Sequence, residues 1–118
     1  MKYAIIINET EEELANRYKP EKIEAYMAPY LAYAQALTEA GLLVGGEALE
    51  HPKTAVTIRN RDGKRIVQDG PFAETKEMLG GFFLIEAPDQ ETALEWAAKA
   101  PSASTGSVEL RQLMPEVE

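Results

Sequence analysis

No cysteine occurs among the chain's 118 residues. Its absence excludes disulfides, thiolate metal sites and a cysteine nucleophile, and it suits a reducing compartment, so a cytoplasmic location is expected. Imidazole is nearly absent too. The one histidine, His51, stands before a proline in "LEHPK", a context that reads as an exposed corner. With no carboxylates at ligand spacing beside it, no metal site is expected. No apolar run approaches the roughly 20 residues of a membrane helix, so the membrane is not an expected partner. Cations are scarce: 12 Lys and Arg face 20 Asp and Glu, for a formal net charge of -8. A nucleic-acid polyanion would be repelled unless the basic residues gathered on one face. They read as dispersed and without interleaved aromatics, so nucleic acid is not an expected partner either. Glycine fingerprints are missing as well. Gly45-Gly46 and Gly80-Gly81 are isolated pairs with no helix-opening pattern, which excludes phosphate-loop and dinucleotide motifs and leaves no cofactor expected. Ser102, Ser104, Ser107 and the threonines lack the neighbouring base of a hydrolase triad.

What is present fits a soluble globular protein of one domain over residues 1–118. The opening "MKYAIIINETEEE" reads as a first strand at residues 3–7 rather than a signal peptide, because its apolar run ends in Asn8 and clustered glutamates. Glu9, Glu11, Glu12 and Glu13 read as a solvated turn, and "NETEEELANRYKP" loses periodicity. From residue 21 a helical spacing appears in Ile23, Met27, Leu31, Ala34 and Leu37 or Thr38, widened by Tyr26, Tyr30 and Tyr33. Pro29 either kinks that helix or starts it late, and Gly41 is placed for a left-handed cap.

"LLVGGEALE" reads as a strand with a bulge or close backbone approach at Gly45-Gly46. "TAVTIRN" and "KRIVQD" flank Asp62-Gly63 as a hairpin. "GFFLIEA" is a further strand, and "DQETALEWAAKA" is a helix started by Pro88-Asp89 with Ala93, Ala97 and Ala100 on one face. "SVELRQL" is a closing strand, followed by a frayed "MPEVE". The order is that of two βαβ halves with an inserted β-hairpin. It predicts a ferredoxin-like α+β fold of the dimeric barrel type, an antiparallel sheet with two helices on one face, whose open face a second copy would cover in a homodimer.

The densest cluster of turn formers and charges is "QDGPFAETKEMLGG". Pro71 fixes its own backbone and restricts Gly70, while Asp69 is placed to close an Asx turn on amides a few residues on. Phe72 supplies an apolar anchor, and Glu74, Thr75, Lys76 and Glu77 follow as a charged turn. Read from physics alone, this is either a solvated structural corner or a site.

"DGPFAETKEMLGGFFLIEA", followed by "ALEWAAKAP" and "VELR", resembles the DGPF group of the YCII-related (YciI-like) proteins. "YLAYAQALTEAGLLVGGEAL" and "TAVTIR" extend the resemblance over nearly the whole chain. It implies a dimeric, ferredoxin-like bacterial protein, some of whose relatives lie beside sigma-factor genes. YciI-like relatives have a site built on a first-helix histidine and an aspartate, and one acts as a dehydrochlorinase. Here that histidine position falls at Tyr30, and the usual closing Glu-Val-Arg-Pro is Glu109-Leu110-Arg111-Gln112.

Two readings of function follow. In the first, a small, anionic molecule binds near the DGPF corner, with Asp69 as proton acceptor and Tyr30 as its catalytic companion in a lyase-type proton transfer. Tyr33, Arg59, Phe72 and Arg111 would then contact the substrate. In the second, the chain is a non-catalytic dimeric regulatory or accessory module linked to sigma-factor systems, and the corner is a structural lock.

Overall fold

The computed structural model describes residues 1–73 and 75–116. Glu74 of the charged turn and the last two residues of "MPEVE" lie outside the described residues. Strand β1 (Lys2–Thr10) outruns the apolar stretch that marks it in the sequence. Alternation extends it: Tyr3, Ile5, Ile7 and Glu9 all turn to the buried face, and the residues between them face the other way. β1 pairs antiparallel with β5 (Glu77–Glu86) on one side and β6 (Ser107–Gln112) on the other. β2 (Leu43–Ala48) joins the far side of β5, giving the order β2-β5-β1-β6. This is the expected ferredoxin-like α+β arrangement.

The segment without periodicity is helical after all. Thr10 caps helix α1 (Glu11–Ala15), its Oγ1 accepting from the Glu13 amide at 3.2 Å. Three glutamates fill the first turn, where the helix dipole favours negative charge, and Leu14 is fully buried. Helix α2 (Ile23–Glu39) continues unbroken through Pro29, so it does not start late. Pro29 and Ala25, whose carbonyl loses its partner, both lie on the solvent side, where water can satisfy the carbonyl. The inward stripe is Tyr26, Tyr33 and Leu37 with half-buried Tyr30, whereas Ile23 and Leu31 are exposed. That corrects the expected apolar stripe by a rotation toward the tyrosines. α2 ends as expected at Gly41 (φ 73°), with the Leu42 amide donating to the Leu37 carbonyl at 3.0 Å.

Helix α3 (Gln90–Ala98) starts at Asp89, whose carboxylate accepts from the Thr92 amide at 2.7 Å, and buries Ala93 and Ala97. A short α4 (Ser102–Thr105) leads into β6. The core lies between the sheet and the helices, centred on Tyr3, Ile5, Leu37, Ile85 and the α3 alanines. Tyr33 ties α2 to α3 by donating to the Trp96 carbonyl at 2.7 Å.

Strands β3 (Val56–Arg61) and β4 (Lys64–Asp69) form the expected hairpin, turning at Asp62-Gly63 with φ 53° and 74°. They make a separate two-stranded sheet. Ile58 and Val67, a facing pair, are 60% and 56% exposed. The radius of gyration, 16.2 Å, exceeds the roughly 13.5 Å of a compact chain this long, because the hairpin stands away from the body. Among the described residues no helix is long and apolar enough to cross a membrane.

Gly46 meets the close approach read from the sequence. A β-carbon there would fall 2.5 Å from the Phe82 carbonyl oxygen, whereas one on Gly45 would meet open space. Gly46→Ala is expected to lower stability by about 1–3 kcal/mol through backbone displacement, with Gly45→Ala costing well under half as much. Urea midpoints of the two variants check this.

Candidate functional site

The β1 alternation carries a carboxylate into the buried face. Glu9 is 1% exposed, a position that is costly unless its oxygens are fully hydrogen-bonded. Tyr26 and Tyr30, one helical turn apart on α2, supply the bonds. The Tyr26 hydroxyl donates to both Glu9 oxygens, at 2.7 and 2.6 Å, and the Tyr30 hydroxyl donates to Oε1. Arg17 follows from the turn after α1. Its Nη2 stands 4.0 Å from Glu9 Oε2, and its Nε–H donates to the Tyr26 oxygen at 2.9 Å. The guanidinium is spread further onto the carbonyls of Leu49 and Gly80, the latter at 2.7 Å. Gly80 leaves room for this, since a β-carbon there would lie 3.1 Å from both Arg17 Nη2 and Glu9 Oε2. Among the described residues no buried side-chain polar atom lacks a partner.

Burial, and then the hydrogen bond to Glu9, push both the Tyr26 and Tyr30 hydroxyls well above the ordinary tyrosine range. Both phenols therefore stay protonated near neutrality and act as hydrogen-bond donors to the carboxylate. Beside the cluster lies a cavity of about 220 Å³, walled by Tyr26, Tyr30, Leu31 and Phe83 and reaching Arg17 and the Gly80-Gly81 backbone. A polar group at one end of an apolar slot is the usual build of a small-molecule site. A second, wider cleft of about 840 Å³ opens between residues 49–55 on one side and 71–73 and 75–79 on the other, where Phe72, His51, Lys53 and Lys76 line it.

The residues singled out from the sequence are not gathered in one place. Tyr30 lines the small cavity and Phe72 the wide cleft. Asp69 ends β4, paired through its backbone with Val56. The corner is pinned by Gly70, whose amide donates to the Ala55 carbonyl at 2.7 Å and whose carbonyl accepts from Thr57 at 2.9 Å. That is a backbone lock, and among the described residues no amide donates to the Asp69 side chain as the expected Asx turn would require. Arg59 stacks over the Phe72 ring at 5.6 Å. Arg111 pairs with Glu109 at 3.4 Å on the sheet face away from the helices, and Tyr33 is core. Among the described residues no three His, Cys, Asp or Glu side chains come together as a metal site.

Glu9, Arg17 and Tyr26 escape the sequence reading. Glu9 sits beside three solvated or half-buried glutamates and looks like one of them. The signal that identifies it is its parity: Tyr3, Ile5, Ile7 and Glu9 share one strand face.

Set against known proteins, the YCII-related domain matches residues 1–117. An uncharacterised protein of Rhizobium meliloti is 38% identical over 115 residues, spanning 96% of this chain and 92% of that one. Among solved structures, 5-chloro-2-hydroxyhydroquinone dehydrochlorinase from Burkholderia phenoliruptrix, in complex with 2,5-dihydroxybenzoquinone, aligns with a TM-score of 0.54. The alignment covers 97% of this chain and 94% of that one at 19% identity, a likeness of fold.

Glu9→Ala, which strands two hydroxyls and a guanidinium, is expected to destabilise by about 3–5 kcal/mol, and Tyr30→Phe by about 1.5–3 kcal/mol. Denaturant unfolding measures both. Burial alone pushes Tyr33 up to about 12, against about 10 for an unfolded tyrosine. The folded state therefore favours the protonated phenol. Its contribution is intact below pH 10 and is lost as pH rises from about 10 towards 12. An alkaline unfolding series should show this fall, with a shallower slope in Tyr33→Phe.

Proposed function

The chain belongs to the YCII-related family, and from that premise we propose that it binds a small molecule in the cavity under α2 and carries out a lyase-type proton transfer there. The observation that carries the reading is the buried Glu9 carboxylate with two tyrosine hydroxyls bonded to it, one of them Tyr30, on the wall of an apolar cavity. The fold shared with a dehydrochlorinase solved in complex with a small quinone supports the reaction class by analogy.

In the proposed step a substrate C–H proton passes to the Tyr30 oxygen while Tyr30 gives its own proton to Glu9. The C–H electron pair becomes a double bond, and the leaving group departs with its pair. The two transfers are coupled because the raised Tyr30 hydroxyl does not ionise on its own near neutrality. Glu9 thus takes the acceptor role expected of Asp69, which lies out on the hairpin. The DGPF-side cleft, with Lys53 and Lys76 on its lining, is the alternative seat for an anionic molecule. A second copy over the open sheet face would complete a homodimer of the DGPF group.

The other reading, a non-catalytic regulatory or accessory module, rests on a specific fact. Every donor around Glu9 is already used inside the fold, so the cluster also serves as a clamp between α2 and the sheet.

Amide spectra titrated with 2,5-dihydroxybenzoquinone separate these readings. Shifts at Gly80, Gly81 and Phe83, with affinity reduced about tenfold, or about 1.4 kcal/mol, in a still-folded Tyr30→Phe, are the expected result. Shifts confined to residues 71–79 would move the site to the wide cleft. No binding of this or related small aromatic acids would favour the module.

A further inference from the structure

The lone histidine, half-buried, stands on a built wall of the wide cleft. Residues 49–55 hold only one short 3-10 turn, yet side chains and backbone from elsewhere tie them at almost every position. Arg17 donates to the Leu49 carbonyl, and the Leu49 amide donates to the Gly80 carbonyl at 2.9 Å. The Tyr18 hydroxyl donates to Glu50 at 2.7 Å and accepts from the His51 amide at 3.0 Å. The Thr54 amide donates to the His51 carbonyl at 2.9 Å, and the Gly70 amide on the Ala55 carbonyl joins this wall to the DGPF corner. A loop held in this way keeps its shape without a ligand, which lowers the cost of binding one.

His51 itself is oriented by its neighbours. Its Nδ1 accepts from the Lys53 amide at 3.0 Å, so the ring carries its proton on Nε2. Among the described residues nothing accepts from that Nε2–H. The same cleft is lined by Leu49, Leu79 and Phe72, all three exposed, Phe72 at 82%. The Arg59 guanidinium lies over the Phe72 ring at 5.6 Å and steadies it from the hairpin. Lys53 and Lys76 are met on the lining by Glu11, Glu50 and Glu77, so the cleft holds no surplus of positive charge.

We propose that the wide cleft is a binding site of its own for an uncharged planar aromatic molecule, which stacks on Phe72 and accepts the His51 Nε2–H through a carbonyl or amide oxygen. The apolar lining supplies the burial, and the one directed donor fixes the orientation. The mixed charge of the lining favours an uncharged occupant over the anion for which Lys53 and Lys76 alone would speak. At about 840 Å³ the cleft has room for more than one ring, whereas the cavity of about 220 Å³ under α2 suits a single small one. The inference goes beyond the proton-transfer reading, and the two sites can fail separately.

The probe is 2-naphthamide, which offers two fused rings and one amide oxygen, with 2-naphthoate as its anionic counterpart. Amide spectra titrated with naphthamide should shift at His51, Lys53 and Phe72 and leave Gly81 and Phe83 in place. Phe72→Ala removes a ring that packs little against the fold and should raise the dissociation constant about tenfold, or about 1.4 kcal/mol. His51→Asn keeps a side-chain oxygen for the Lys53 amide while removing the Nε2–H, and should raise it about fivefold. Naphthoate should bind no more tightly than the amide. Naphthoate binding about tenfold tighter overturns the uncharged class. Shifts at Gly81 and Phe83 alone, or displacement of naphthamide by 2,5-dihydroxybenzoquinone, overturn a separate site. No binding, or binding that neither variant weakens, overturns the proposal outright. The shifts that the benzoquinone causes under α2 stand or fall without the naphthamide result.

Discussion

One buried carboxylate organises this end of the fold. Glu9 has no access to water, so the structure must bring partners to it, and those partners come from two separate stretches, α2 and the turn after α1. Tyr26 and Tyr30 fix the rotation of α2 about its axis. Arg17 fixes the turn after α1, and through the Leu49 and Gly80 carbonyls it also holds the end of β2 against β5. An apolar residue at position 9 would leave each of these elements free to settle by packing alone. The carboxylate replaces that freedom with a directional requirement, which is why α2 turns its tyrosines inward and leaves Leu31 in solvent.

The same requirement would serve the proposed chemistry. A network that holds its donors at hydrogen-bond distance in a desolvated place also pre-orients a hydroxyl beside a cavity. A structural duty and the proposed catalytic one are not rivals for these residues. The clamp is what would keep Tyr30 in line between a ligand and Glu9.

The sequence made the fold largely legible because its signals were local. The I′ turn at Asp62-Gly63, the Gly41 cap and the Asp89 start of α3 each depend on a few neighbouring residues, and each stands where the pattern put it. The resemblance carried by "DGPFAETKEMLGG" added the family. The site was much less legible, because burial of a glutamate is a tertiary event. Next to Glu11 and Glu12, Glu9 has the same composition and opposite surroundings, and only strand parity distinguishes them. Pro29 shows the converse case: a strong local breaker is tolerated because its orphaned carbonyl happens to face water. The DGPF corner drew notice for its charged and turn-forming side chains, yet what pins it is the backbone of Gly70, which no side-chain pattern reports.

Gly80 marks a break in the alternation of β5. The pairing passes from Ile7 opposite Gly81 to Asn8 opposite Leu79, so β5 spends one residue without a counterpart. Odd and even positions therefore exchange sides. Upstream of Gly80, Met78 shares a side with Glu9, and Leu79 turns to the open face, the reverse of what alternation counted back from Ile85 would give. The glycine acts as a phase inverter: everything between the DGPF corner and the core is written in the opposite parity, and a change of one residue in length there would exchange the side chain packed behind the carboxylate.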